Sequence, residues 1–142
     1  MEFHFGRLID HVQLRVADLE ASRRFYQATL RALGRDLSGG GDWYFHADEL
    51  FVTAAGEEPV SRVHLAFQTR DQAHVDAVYQ AMLGAGGRDN GPPGFRDYHR
   101  GYYGAFVLDP DGNNIEAVYH GPADRSATSV VLTPTALPDA TA

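Results

Sequence analysis

The chain has 142 residues and a net charge of −7, which is enough for one domain and hardly for a second. Because the 19 acidic residues outnumber the 12 basic ones, we expect no nucleic-acid partner. Cysteine is absent, which excludes disulfides, zinc–thiolate sites and cysteine nucleophiles. No run of 18 apolar residues and no apolar leader stands out, so we expect a cytoplasmic protein without a membrane partner.

An internal repeat organises the chain. A shift of 53 residues superimposes residues 8–36 on residues 61–89. Under this shift His11 meets His64, and two tripeptides recur in register, Tyr-Gln-Ala and Gly-Arg-Asp. The repeat predicts two copies of one supersecondary unit, each beginning with a strand followed by a helix.

The first unit shows the residue patterns of a strand and of a helix. Residues 10–16 alternate in polarity, which is typical of a strand, and its apolar positions are Val12, Leu14 and Val16. Asp18 as N-cap and Gly34 as terminator predict a helix between them. Two further strands are predicted at Asp42–Ala47 and Leu50–Ala54. We interpret the complete unit as βαβββ, and these runs identify three of its four strands.

The second unit repeats this order with a longer connection. It has a predicted strand at Arg62–Thr69 and a helix capped by Asp71. Strands at Gly104–Leu108 and Asn114–Tyr119 follow, and the turn Asp109–Gly112 joins them as a tight hairpin, with proline in its second position and glycine in its fourth.

These units predict one α+β domain over residues 1–121, with modules at about residues 8–56 and 61–121. The second module carries about 12 extra residues within Asn90 to Tyr103, where Gly, Pro and Tyr favour a loop or lid. The tail, residues 122–142, has the composition of a flexible end. It also holds the apolar run Val130, Val131 and Leu132, which we expect to pack on its own or a partner subunit.

Three side chains are candidate metal ligands. His11 and His64 occupy equivalent points of two strands, opposite the side chains that pack on the helices, and Glu116 shares that face of the last strand. Two imidazoles and one carboxylate hold a divalent metal and leave about three positions open. A single strand histidine is more often structural, and a lone glutamate is usually solvated. The repeat symmetry favours the metal site.

Three segments resemble one known family: LIDHVQLRVADLEASRRFYQATL, RVHLAFQT and FVLDPDGNNIEAVYH. They are similar to the vicinal oxygen chelate superfamily of glyoxalases, extradiol dioxygenases, and fosfomycin and bleomycin resistance proteins. The resemblance covers about residues 8–121 and implies paired βαβββ modules in a cupped mixed sheet, usually as a homodimer. It also implies a small-molecule substrate and a divalent metal on His11, His64 and Glu116. We favour Fe(II) or Mn(II), with Zn(II), Ni(II) or Co(II) as alternatives.

Departures from the family patterns favour some of the family's functions over others. Four-ligand glyoxalases have a further ligand at the symmetry mate of Glu116, which is Phe51 here; we predict that Phe51 lies beside the metal and the substrate. Fosfomycin-modifying relatives use serines and a nearby lysine before the last hairpin, whereas residues 96–103 contain neither and the chain has no lysine. The pattern that remains resembles the three-ligand dioxygenases.

Other polar side chains are candidates for catalysis or substrate binding around this site. The insertion supplies general acid–base and phenolic groups, His99, Tyr98, Tyr102 and Tyr103; the alternative is a packed aromatic loop. On the ligand face, three side chains are candidates to orient substrate or to be solvated, namely Gln13, Arg15 and Gln68. We interpret the remaining histidines as structural or exposed, namely His4, His46, His74 and His120.

Three classes of function remain open. The first is a metal-dependent enzyme that chelates a vicinal-oxygen substrate and cleaves it with dioxygen. The second is a glyoxalase-type lyase or isomerase that consumes no oxygen. The third is a metal-free protein that binds a drug or metabolite, as bleomycin resistance proteins do. Metal content separates the third class from the others, and anaerobic activity separates the second from the first.

Overall fold

The computed structural model describes residue 6 and residues 8–133. It contains ten elements: β1 Val12–Val16, α1 Leu19–Ala32, β2 Gly39–Gly40, β3 Tyr44–Ala47, β4 Leu50–Ala54, β5 His64–Gln68, α2 Gln72–Gly84, β6 Arg88–Phe95, β7 Tyr103–Leu108 and β8 Asn114–Tyr119. Among these described residues, neither helix has the length and apolar character needed to cross a membrane.

The strands form two four-stranded mixed sheets with the same topology. Their orders are β1-β4-β3-β2 and β5-β8-β7-β6, and in each sheet the first pair is parallel and the other two are antiparallel. The α+β fold of two tandem βαβββ modules is therefore confirmed. Each module builds a sheet of its own within the chain.

Both helices begin where the sequence predicts. The side chain of Asp18 accepts a hydrogen bond from the backbone of Ala21, and that of Asp71 accepts one from the backbone of His74. Each cap satisfies a backbone donor that the first helical turn leaves unpaired. The two caps fix how each helix leaves its preceding strand.

One hydrophobic core joins the two modules. It contains side chains from both helices and from both sheets, and α1 packs directly on α2. Tyr26 on α1 donates a buried hydrogen bond of 2.6 Å to Asp109 of the second module. Since both sheets turn their helix-covered sides to this core, their other sides point away from it. We call these sides the outer faces.

The insertion in the second module differs from its prediction. Arg88–Phe95 forms the edge strand β6, so the expected loop over residues 90–103 is shorter. The strand contains Pro92 and Pro93, and its pairing is interrupted at Gly91. Proline is tolerated because an edge strand has backbone groups that need no partner in the sheet, and bulges absorb the irregular register.

The described part of the tail, residues 122–133, contains no helix or strand. Val130, Val131 and Leu132 are at least 72% exposed, so the expected packing on their own subunit is wrong. Arg125 donates a 2.6 Å hydrogen bond to Gln68 on β5, which ties the start of the tail to the second sheet. His4 and the tail after residue 133 lie outside the described residues.

Candidate metal site

The strand register reproduces the repeat symmetry of the candidate site. Gln13 pairs with Phe51 in the first sheet, and Ala66 pairs with Glu116 in the second. Because the repeat matches Gln13 with Ala66, Phe51 and Glu116 occupy equivalent positions, as predicted. The alternation is also as predicted, since Leu14 on β1 is fully buried in the core whereas its neighbour Gln13 is exposed on the outer face.

Glu116 is a buried acid on the outer face of the second sheet. It is 1% exposed, and its Oε2 accepts a 2.7 Å hydrogen bond from Nε2 of His64. Its Oε1 accepts a hydrogen bond from the hydroxyl of Tyr102. A Cβ on Gly104 would lie 3.0 Å from that same Oε1. Glycine on β7 therefore leaves the space in which the carboxylate sits.

Both carboxylate oxygens of Glu116 have hydrogen-bond partners. A buried polar group is tolerated when it is hydrogen-bonded, and His64 and Tyr102 provide these hydrogen bonds. Burial, followed by the hydrogen bond to Glu116, raises the pKa of Tyr102 above its ordinary value. The phenol therefore stays protonated and donates. An imidazole nitrogen and a carboxylate oxygen are donor types that suit Fe(II), Mn(II) or Zn(II).

A cluster of rings lies beside this pair. Nε2 of His99 and Nδ1 of His120 are joined by a 2.9 Å hydrogen bond, and the ring of Tyr102 stands edge-on to both. Tyr98, 69% exposed, contacts Tyr102 from the outside. Burial, followed by the neighbouring His99, lowers the pKa of His120. Three of the four predicted loop residues thus gather next to Glu116.

Sequence reasoning does not place His120 in this cluster. The repeat gives it no histidine partner and predicts a structural or exposed side chain, and the side chain is indeed exposed. Strand alternation carries the signal that would have found it, because His120 follows Glu116 by four residues and thus continues the same face beyond β8. His74 fits its predicted structural role, since it is buried and its Nε2 hydrogen-bonds the backbone oxygen of Ala32 at 2.8 Å.

His11 lies on the outer face of the other sheet. Its side chain is 63% exposed and pairs with Asp10 at 2.6 Å. It lines a cavity of about 300 Å³ together with His46, Asp48 and Phe51. Among the described residues, no three His, Asp or Glu side chains are grouped to hold a metal ion. The chain therefore brings His64 and Glu116 together without bringing His11 to them.

The other candidate residues have diverse partners. Gln13 donates to Thr53 across the outer face, and Arg15 is exposed on that face. Gln68 accepts a hydrogen bond from Arg125 of the tail. Tyr103 donates to Asp76 on α2 at 2.9 Å, so it lies on the helix-covered side of the sheet. Tyr103 therefore does not join the group around Glu116.

Comparisons with known proteins agree with this architecture. Residues 8–117 match the family model described as Glyoxalase/Bleomycin resistance protein/Dioxygenase superfamily, and the chain belongs to this family. It is 33% identical to the uncharacterized protein YqjT of Bacillus subtilis, with 76% of this chain and 95% of that protein covered.

Two solved structures illustrate the range of similarity. A glyoxalase/bleomycin resistance protein from Albidiferax ferrireducens T118 is 31% identical, with a TM-score of 0.64, and the match covers 77% of this chain and 95% of that one. A lactoylglutathione lyase from Agrobacterium tumefaciens is 19% identical, with a TM-score of 0.60 and coverage of 80% and 93%. The second likeness shows the fold alone.

Proposed function

We propose that the protein is a divalent-metal enzyme that chelates a small substrate through two vicinal oxygen atoms and cleaves it with dioxygen. The proposed ligands are His64 and Glu116 of one copy and His11 of a second copy, with Fe(II) or Mn(II) favoured. The observation that carries the proposal is the buried Glu116 carboxylate beside the imidazole of His64. These are the donors of a two-histidine, one-carboxylate site with open positions.

The third ligand is proposed from a second copy because of the placement of the outer faces. Both faces point away from the shared core, so the first face of one copy can meet the second face of another only across an interface. Apolar side chains near His11 support such an interface: Leu8, Ile9 and Trp43 are all more than half exposed. Two-fold symmetry would then complete two identical sites in a homodimer.

The donor set also supports the favoured chemistry. Phe51 stands at the position equivalent to Glu116 and supplies no donor atom, so three coordination positions stay open for substrate and dioxygen. A divalent metal held here supplies a Lewis acid for the substrate oxygens and, as iron, a centre for oxygen chemistry.

The chain's own residues have separate tasks in this proposal. Tyr102 holds the Glu116 carboxylate in one orientation through its hydroxyl, which makes it a positioning residue. The hydrogen-bonded imidazoles of His99 and His120 lie next to Tyr102 and are placed to exchange a proton with a substrate hydroxyl. The buried setting of Glu116 limits water at that side of the site.

Metal content and oxygen uptake test the proposal directly. Protein purified without added metal is analysed for bound ions, then loaded with Fe(II) and assayed for oxygen consumption with a panel of catechols and 2-hydroxy acids. We expect about one metal per chain and substrate-dependent oxygen uptake. Full conversion of a hemithioacetal without oxygen would favour the lyase alternative instead, and a protein that holds no metal would support the metal-free binding alternative.

A mixing experiment tests whether the site is shared. Chains with His11→Ala and chains with Glu116→Ala are each expected to bind no metal. When the two are co-expressed with different tags and the mixed dimer is purified, one of its two sites contains both substitutions and the other contains none. We expect the mixed dimer to bind about half of the wild-type metal. Absence of any recovery would refute the shared site.

A further inference from the structure

The imidazole of His11 is hydrogen-bonded to the carboxylate of the residue before it. Nδ1 of His11 lies 2.6 Å from Oδ1 of Asp10. The side chain of Asp10 is 95% exposed, and an exposed carboxylate is ionised near neutral pH and only accepts hydrogen bonds. Nδ1 therefore carries the proton and donates it to Asp10. In a neutral imidazole with this tautomer, the lone pair that can bind a metal is on Nε2.

The second module presents the same nitrogen of its histidine to an acid. Nε2 of His64 on β5 lies 2.7 Å from Oε2 of Glu116 on the neighbouring strand β8. The equivalent acid is missing beside His11, because Phe51 occupies the position that corresponds to Glu116. The first module therefore cannot orient its histidine through the neighbouring strand.

The acid beside His11 comes from a position that the second module does not use. The repeat matches Asp10 with Val63, so no carboxylate precedes the histidine of the second module. Among the described residues, His11 is the only hydrogen-bond partner of the Asp10 side chain. The two modules thus place an acid against each imidazole from positions that are not equivalent.

We propose that Asp10 is a positioning residue for His11: its carboxylate holds the imidazole proton on Nδ1 and leaves Nε2 to bind the metal. This inference rests on the proposed function, in which His11 is a ligand. A metal-binding histidine commonly donates its other ring nitrogen to a carboxylate, which fixes the tautomer and the ring orientation and makes the imidazole more basic. Packing alone fixes the ring of His11 poorly, because this side chain is 63% exposed.

The tautomer of His11 tests this role on metal-free protein. Histidine labelled with nitrogen-15 is observed by long-range proton–nitrogen NMR at about pH 8, where an unpaired imidazole is neutral, and the signals of His11 are assigned with His11→Gln. We expect the Nδ1–H tautomer in the wild type and in Asp10→Glu, which keeps an acceptor. Asp10→Ala should shift His11 towards Nε2–H, the tautomer that neutral histidine prefers in water. Asp42→Ala removes an exposed acid from the turn before β3 and is the control, which should match the wild type.

Metal affinity tests the consequence in the same proteins. Binding of Zn(II) is measured by competition with a coloured chelator. We expect Asp10→Ala to bind Zn(II) about 10- to 100-fold more weakly than the wild type, because the oriented and more basic imidazole is lost. Asp10→Glu and Asp42→Ala should bind Zn(II) as the wild type does.

The outcomes separate this inference from the proposed function. An unchanged tautomer of His11 in Asp10→Ala would overturn the positioning role, whatever the metal content. A changed tautomer with wild-type Zn(II) affinity would also overturn it, because the hydrogen bond would then not act on a metal ligand. A wild type that binds no metal would refute the proposed function, and a tautomer that still depends on Asp10 would then support only its action on His11.

Discussion

The two outer faces share a backbone register and differ in chemistry. Phe51 and Glu116 occupy equivalent positions, and their partners on the next strand are His46 and Phe106. In the second module the acid is buried and paired with an imidazole, whereas in the first module the equivalent position is a partly exposed ring. The same backbone register therefore carries a buried acid paired with an imidazole on one face and a partly exposed ring on the other.

Another pair of equivalent residues, Tyr44 and Gly104, explains how the side chain of Glu116 is accommodated. Tyr44 on the first face corresponds to Gly104 on the second, since each pairs with the equivalent residue of the following strand. The first position carries a ring that contacts Trp43 and Phe51. The second leaves the space that Glu116 and Tyr102 fill. Loss of one side chain on β7 therefore accompanies the gain of a buried carboxylate on β8.

The largest loss of metal affinity should come from replacing the carboxylate of Glu116. Glu116→Gln keeps the size of the side chain but is a poor metal ligand. We expect metal affinity to fall by more than the factor of about 100 that an outer hydrogen-bond partner can contribute, as measured by competition with a coloured chelator. Glu58→Gln, in the exposed segment before β5, is the control. Wild-type metal affinity in Glu116→Gln would show that Glu116 is not a metal ligand.

A smaller effect is expected when Glu116 keeps its charge but loses its positioning partner. Tyr102→Phe removes only the hydroxyl that donates to Oε1. We expect metal affinity to fall by about 10- to 100-fold, while the circular dichroism spectrum is unchanged. Tyr98→Phe, in the exposed ring that contacts Tyr102, should bind metal as the wild type does. Equal affinities for both variants would show that the hydroxyl does not position the ligand.

The sequence predicted the parts of this comparison that depend on local periodicity. Alternation placed Leu14 on the core side and Glu116 on the opposite side, and the repeat identified Phe51 as the counterpart of that acid. The strand β6 was missed because its glycines and prolines have the composition of a loop, and only the neighbouring strand β7 makes it an edge strand.

The sequence could not predict, for a different reason, that one chain brings His64 to Glu116 without bringing His11 to them. Alternation determines the face on which His11 and His64 lie, but it does not determine how the two sheets are oriented. That orientation follows from the packing of α1 on α2, in which Phe25 and Tyr26 are fully buried. Side-chain packing between helices depends on shapes that strand patterns do not encode.

A carboxylate at residue 51 would make the two outer faces alike. Phe51→Glu introduces a carboxylate at the counterpart of Glu116 and would supply a fourth ligand. We expect metal affinity to rise by about tenfold and oxygen uptake to fall, because one open coordination position is lost. Phe51→Gln has the same size without the charge and should show no gain in affinity. Weaker metal binding in Phe51→Glu than in Phe51→Gln would place Phe51 away from the metal.

The smallest expected effect concerns the contact that joins the modules. Tyr26→Phe removes the buried hydrogen bond to Asp109 and should lower the free energy of unfolding by about 1 kcal/mol at pH 7. Burial, followed by Asp109, raises the pKa of Tyr26 well above its ordinary value. A raised pKa in the folded state contributes stability that is fully present below about pH 10, the unfolded value, and is lost as pH rises above it. In urea unfolding, the wild type should therefore lose stability more steeply than Tyr26→Phe above pH 10, and parallel curves up to pH 11 would contradict this.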